Sequence, residues 1–486
     1  MRTNGILMAI SSLPSDYGIG DFGKSSYKFV DLISEAKIKL WQLLPINPIG
    51  SGDSPYSSKC GNAIDEIFID LEELQENGLI DDLPSFNAKA KYVEYGEVRD
   101  FKTKKLREAF DKQNDLATQD YKNFLIEHPW LENYAKFCIL LVKNNYVDWW
   151  NWSEEEKNEP YKNTIDFSKY ENEMNFIKWC QYIAFKQFIK LKKYANSKNV
   201  ELMGDIPFYL GGNSSDVWAN QDEFLLDDDA KPYRIAGCPP DYFSKTGQRW
   251  GNPIYDWDYM LDDGFTFWMS RIKNASKLYD CIRIDHFRAF DTYWSINPEC
   301  ETAVDGVWEI GYGNEFFSKL QRELPNLKIL AEDLGDLFPS VQKLRDKFNL
   351  PGMNVIQFTL LDPAAEVKEN QIMYTGTHDN DTLMGWLKSL DEETKEALKI
   401  KLKSLKLEGR SIYDKLINYV FSSIDDYAII PIQDYLKLGS EYRMNTPGIS
   451  GGLNWKFRLV NFDAFEKIIP NIKTLVKKYN RWKKLH

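Results

Sequence analysis

Residues 281–287 read CIRIDHF, residues 327–334 read LKILAEDL, and residues 372–378 read IMYTGTH. Each is a short apolar run that ends in charged or polar residues. Near-continuous apolar stretches of this length fit strands buried on both faces of a parallel sheet. Working outward, five more runs share the pattern: 6–13 (ILMAISSL), 40–47 (LWQLLPIN), 200–208 (VELMGDIPF), 353–358 (MNVIQF) and 428–432 (AIIPI). Helical patterns fill several gaps, at 23–39, 312–324 and 338–348. Strand-then-helix alternation repeated eight times predicts an α/β chain of the (β/α)₈ barrel class. The rival, a doubly wound open sheet, would want a glycine-rich phosphate loop after the first strand, and 11–20 (SSLPSDYGIG) is not one.

Two gaps exceed a simple crossover. Residues 70–198 read as mainly amphipathic helices, for example WCQYIAFKQFIKLKKY at 179–194, and predict a helical subdomain inserted after the second strand. Residues 209–262 read as a long loop rich in Gly, Asp and aromatics, followed by a helix near 265–278. Barrel enzymes carry such insertions at the carboxyl ends of strands, over the active site. After the eighth run there is no length for a C-terminal β domain, so the 486 residues read as one barrel with insertions.

Composition narrows the function classes. Hydrophobic residues are 43% and charged residues 28%, an ordinary balance for a water-soluble chain, and the net charge of -12 argues against a nucleic-acid partner. The basic residues Lys477, Lys478, Arg481, Lys483 and Lys484 read as a solvated helix end. No run approaches the roughly 20 residues of a membrane span, and 6–10 is too short for a secretory core. Six scattered cysteines, at 60, 138, 180, 238, 281 and 300, offer neither a zinc cluster nor a disulfide framework, and predict free thiols in the cytoplasm. The chain is rich in Trp (15), Tyr (27) and Phe (28). Most of these belong in a core, but aromatics on loops also suit the faces of sugar rings.

Three carboxylates stand at predicted strand ends: Asp285 in RIDHFR, Glu332 in AEDLG and Asp379 in THDN. Any one alone is more often a helix cap or turn residue. Together they converge on one pocket, and burying three carboxylates is unfavourable unless they act on or hold a ligand. Glycoside cleavage needs such a pair, a carboxylate nucleophile and a carboxylic acid that protonates the leaving oxygen. Arg283 shares a strand face with Asp285 and favours its ionised form. Glu332 has no adjacent cation in its motif, which allows a raised acid pKa. Asp379, beside His378, would hold sugar hydroxyls. A Mg²⁺ cage of the enolase kind is the other chemistry that strand-end acids support, but these motifs hold no lysine base and Arg283 would repel the cation.

These motifs resemble the α-amylase clan of retaining glycosidases, and more specifically glycoside hydrolase family 77, the 4-alpha-glucanotransferases. The resemblance extends to 12–14 (SLP) with 18–20 (GIG), 52–56 (GDSPY), 204–207 (GDIP), 239–243 (PPDYF) with 247–253 (GQRWGNP), 352–353 with 357–358, and 443–445 with 447–448. It implies Asp285 as nucleophile, Glu332 as general acid/base and Asp379 as transition-state stabiliser. It implies Arg283 and His378 near the nucleophile and the sugar, Ser54 and Tyr56 on the donor side, and Asp241, Gln248, Trp250 and Asn252 on a mobile loop. It implies α-1,4-glucans and maltooligosaccharides as donors and acceptors, glucose as an acceptor, and neither metal nor organic cofactor. No histidine stands in 205–209, where wider-clan amylases usually have one, which favours a transferase over a hydrolase with the same carboxylates. In the loop 241–258, Tyr242, Phe243, Trp250, Tyr255 and Trp257 are expected to shield the site from water and to stack on an acceptor. A glucan-binding protein without catalysis is the reading from another class, and it has no need of an acid/base residue.

Overall fold

The structure is a computed structural model that describes residues 2–240, 244–335, 337–362 and 370–482. Its strands in chain order are β1 (Thr3–Leu7), β2 (Leu40–Gln42), β3 (Glu201–Ile206), β4 (Ile235–Cys238), β5 (Gln248–Pro253), β6 (Cys281–Ile284), β7 (Thr292–Ile296), β8 (Gly306–Ile310), β9 (Lys328–Ala331), β10 (Gly352–Val355), β11 (Gln371–Tyr374) and β12 (Tyr427–Pro431). Eight of them form one parallel sheet in the order β10-β11-β12-β1-β2-β3-β6-β9. The Ala331 amide donates to the Pro351 carbonyl at 2.8 Å, which brings β9 back to the start of β10. The eight predicted runs are these eight strands, and the fold is a (β/α)₈ barrel.

Alternation along the strands sorts side chains inward and outward. Leu7, Leu40, Met203, Cys281, Leu330, Ile372 and Ile429 fill the barrel interior as one apolar cluster. The alternate residues Ile6, Trp41, Leu202, Ile282 and Ile329 pack outward against the helices. Each large apolar side chain so buried contributes about 1.5–3 kcal/mol. Two residues further along four of the strands, the interior turns polar. Gln42, Asp205, Arg283 and Tyr374 follow Leu40, Met203, Cys281 and Ile372 on the same inward face. This layer is the floor of the cleft.

The helices expected at 23–39, 312–324 and 338–348 are Lys24–Glu35, Gly313–Glu323 and Pro339–Lys347. Between β2 and β3 the chain runs through helices Leu71–Glu76, Tyr95–Lys112, Gln119–Glu127 and Trp130–Lys143, then the long helix Glu171–Ser197. That last helix lies in the barrel's outer layer, with Phe188 against Phe22 (5.2 Å) and Tyr279 (5.6 Å).

Three expectations need correction. The strands stop short of the apolar runs. β1 ends at Leu7, and Ile10–Ser12 is a helical turn whose side chains stay buried under the covering loops. The stretch after residue 209 is not one long loop. Its β4 and β5 join β7 and β8 in an antiparallel sheet of order β5-β4-β7-β8. And the basic tail is not wholly solvated. Arg481 is fully buried, donating from Nη1 to the carbonyls of Thr3 (2.9 Å) and Asp425 (3.0 Å), from Nε to Phe421 (2.7 Å) and from Nη2 to Ser423 (2.7 Å). Burial pushes its pKa down to about 9. Among the described residues no strand follows β12, and no helix is long and apolar enough to cross a membrane. The six cysteines carry free thiols.

Candidate active site

Asp285 is the first residue beyond β6 and Glu332 the first beyond β9, and those two strands pair directly, Ile284 opposite Ala331. The loops after them stay laced together. Glu332 donates its amide to the Ile284 carbonyl at 3.0 Å, and Phe287 donates to the Glu332 carbonyl at 3.1 Å. The Glu332 carboxyl accepts from the amides of His286 (2.8 Å, Oε2) and Leu334 (2.9 Å, Oε1). The two acids are therefore held by adjoining backbone, at the same level of the strand pair. His286 makes this turn in the left-handed region, at φ 45° and ψ 46°.

Arg283 points into the barrel one pleat below Asp285. Its Nη1 reaches Asp285 Oδ1 at 3.0 Å and both oxygens of Asp205 at 2.7 Å. Register explains the second contact, because Asp205 on β3 stands opposite Arg283 on β6. Asp205 also accepts from the Tyr56 hydroxyl at 2.7 Å. A buried carboxylate thus fixes the arginine that touches the nucleophile candidate. Sequence reading passed over Asp205 as a site residue. Its signal was present: Asp205 is an acid inside the third apolar run as Arg283 is a base inside the fourth, two charges of opposite sign within neighbouring buried strands.

Electrostatics correct one expectation. Arg283 does favour ionised Asp285, but burial and the neighbouring charges of Asp205 and Glu332 outweigh it and push Asp285 up to about 7. Its side chain keeps 28% exposure, facing the cleft. Burial also raises Glu332, against Arg283 and the two amide donors. Two neighbouring acids, both raised by burial, titrate as a pair, so one can stay protonated while the other ionises.

Asp379 lies beyond β11, five residues past Tyr374, on a turn shaped by Asn380. The Asn380 side-chain oxygen accepts from the Thr377 amide (2.9 Å) and hydroxyl (3.0 Å). Asp379 Oδ2 lies 3.3 Å from His378 Nε2, and its Oδ1 accepts from the Asn445 amide group at 2.6 Å. Burial opposes its charge, yet His378 and Asn445 hold it down at about 2. The same pairing raises His378 against its own burial. Arg443 braces the turn through the Asp379 carbonyl. Tyr56 stacks on His378 (5.1 Å, 20°), and Trp455 flanks both rings at 5.6 and 5.7 Å. Tyr56 thereby links the Asp205–Arg283 pair to Asp379. Ser54 Oγ accepts from the Tyr56 amide at 3.3 Å and shapes that approach.

The remaining predicted residues divide. Trp250 on β5 is 38% exposed, meets His286 edge to face at 4.9 Å, and donates from Nε1 to Gln248 at 3.2 Å. Asn252 spends its amide group on the Leu210 carbonyl (2.7 Å), which ties β5 to the segment after β3. Asp241, with Tyr242 and Phe243, lies outside the described residues. Tyr255 and Trp257 do not offer faces to a ligand. Both are buried in the core, and the Tyr255 hydroxyl donates to the Phe208 carbonyl at 2.6 Å. Much of the expected mobile loop is sheet, so of its described aromatics only Trp250 reaches the cleft.

A family model described as 4-alpha-glucanotransferase, glycoside hydrolase family 77, matches residues 8–462. A 4-alpha-glucanotransferase of Clostridium butyricum is 38% identical over 491 residues, covering 98% of this chain and all of that protein. One from Aquifex aeolicus is 39% identical over 470 residues, covering 94% and 96%. An amylomaltase from Streptococcus agalactiae, solved in complex with acarbose, superposes with a TM-score of 0.92 at 33% identity, covering 99% of this chain and 100% of that one.

Proposed function

The chain belongs to the 4-alpha-glucanotransferase family, glycoside hydrolase family 77, and on that premise we propose that Asp285, Glu332 and Asp379 carry its retaining transfer between α-1,4-glucans. The observation that carries the assignment is the lacing of the Asp285 loop to Glu332, with Arg283, itself held by Asp205, at hydrogen-bond distance of Asp285. Asp285 Oδ attacks the anomeric carbon as the Arg283 guanidinium, already oriented by Asp205, stabilises its charge. Glu332 gives its proton to the departing glucan oxygen, which leaves a glucosyl ester on Asp285. The 4-hydroxyl of an acceptor then returns that proton to Glu332 and takes the glucosyl segment. Turnover starts from ionised Asp285 and protonated Glu332, and the Asp285 carboxylate stabilises the positive charge that develops on the sugar ring. Asp379, ionised at neutral pH, stabilises the same charge and accepts sugar hydroxyls.

Tyr56, His378 and Trp455 form an aromatic wall on the Asp379 side, suited to the donor glucose. Trp250 faces the cleft from the opposite sheet, where Gln248 and Asn252 support it. Maltooligosaccharides and glucose serve as acceptors in this reading, and six free thiols fit a reducing cytoplasm. Incubation with maltotriose tests it. Transfer yields glucose and a ladder of longer maltooligosaccharides. A rise in reducing ends without longer products would replace transfer by hydrolysis.

A further inference from the structure

We propose that Trp308 and Phe338 form a second glucan-binding platform, on the acceptor side of the cleft, that holds chain segments beyond those at the carboxylates. This rests on the catalytic reading above. The two rings come from separate elements. Trp308 lies on β8, and Phe338 precedes the helix Pro339–Lys347. They meet edge to face at 5.1 Å and 70°. The Arg288 guanidinium lies 4.1 Å from the Trp308 ring and 5.3 Å from Phe338. Trp294, opposite Trp308 in the β7–β8 register, closes a third side at 5.1 Å. The Trp294 indole is itself pinned: its Nε1 donates to the Ala303 carbonyl at 2.9 Å, and a Cβ on Gly306 would fall 2.4 Å from it.

The Trp308 indole is thus built in place before any ligand arrives. Even so, Trp308 is 36% exposed and Phe338 39%. A braced tryptophan left open to water suits a flat, partly apolar, uncharged ligand that gains from a fixed surface. Continuity with the cleft names that ligand. Arg288 is three residues beyond Asp285, within roughly 11 Å of extended chain, and Phe338 is six beyond Glu332, within roughly 22 Å. The platform thus lies within reach of both acids, and the Phe338 ring, which follows the acid/base residue Glu332 in the chain, is assigned to the leaving and accepting glucan. A longer glucan that passes Glu332 runs toward it.

The experiment compares kcat/KM on maltotriose and on maltoheptaose for the wild-type chain, Trp308→Ala, Trp308→Phe and Phe338→Ala. Trp308→Ala is expected to lower the maltoheptaose value about tenfold, through KM, with maltotriose within twofold. Trp308→Phe should recover most of the loss, and Phe338→Ala should reproduce a smaller one. A wild-type maltotriose ladder with unchanged length dependence in Trp308→Ala and Phe338→Ala would overturn the platform and leave the catalytic reading standing. Equal losses on both substrates would also overturn it. A wild-type chain without the ladder would instead sink the catalytic reading.

Discussion

Replacing Asp205 with asparagine removes one charge and almost no volume from the floor of the site. In the native arrangement both Asp205 oxygens lie 2.7 Å from Arg283 Nη1, and the aspartate side chain is fully buried. A hydrogen bond between charged partners is worth about 1.5–3 kcal/mol. If Arg283 is held for the transition state by that pair, kcat/KM should fall roughly ten- to hundredfold. The pH profile gives a second readout with a definite sign. Asp205 is one of the charges that push Asp285 upward, so its removal lets Asp285 ionise at lower pH. Activity that depends on ionised Asp285 rises with pH through that pKa, near 7 in the native chain. The acid limb of kcat/KM on maltotriose should therefore move down in Asp205→Asn even as the plateau drops. A merely structural aspartate would lower the plateau without moving the limb. A loss below threefold, or a limb that stays or moves up, refutes the role given to Asp205.

Two more outcomes follow from buried charges outside the cleft. Asp70 is pushed up to about 7, by burial first and then by Asp21. The folded chain keeps a proton there that the unfolded chain releases near pH 4. That contribution to stability is complete below pH 4 and is lost as pH rises through 7, so Asp70→Asn should flatten the decline in urea midpoint over that window. Arg481→Met removes the guanidinium donors to the carbonyls of Thr3, Ser423 and Asp425, and one of the two side-chain donors to Phe421, at the seam beside β1. A loss of about 3 kcal/mol or more is expected in denaturant unfolding, with kcat on maltotriose unchanged for the protein that remains folded.

The barrel was legible because parallel strands buried on both faces leave near-continuous apolar runs, and all eight stood out. Their ends were less legible. Ile10 and Leu13 are as apolar and as buried as strand residues, but they belong to the covering loops. The start of β1 was missed for the opposite reason. Asn4 is a polar residue buried by specific bonds, its amide group donating to the carbonyls of Lys37 (3.0 Å) and Arg481 (2.7 Å). The antiparallel sheet escaped because β5 (QRWGNP) and β8 (GVWEI) are short and half-exposed, and their partners are fixed by tertiary contacts rather than by pattern. In the site, the three carboxylates were legible as strand-end acids. Asp205 became visible only through the register between β3 and β6, and Asn445 only through the turn that carries Asp379.

The central claim is that Asp285 bonds to the anomeric carbon while Glu332 handles the proton. An activated donor, α-glucosyl fluoride, separates the two roles, because fluoride departs without an acid. In Glu332→Gln the first step proceeds with this donor and the second lacks its base, so the intermediate accumulates. Peptide mapping by mass spectrometry should find one glucosyl unit on the peptide that contains Asp285, and none in Glu332→Gln combined with Asp285→Asn. A glucosyl unit on a different side chain, or wild-type turnover in Asp285→Asn, would contradict the account.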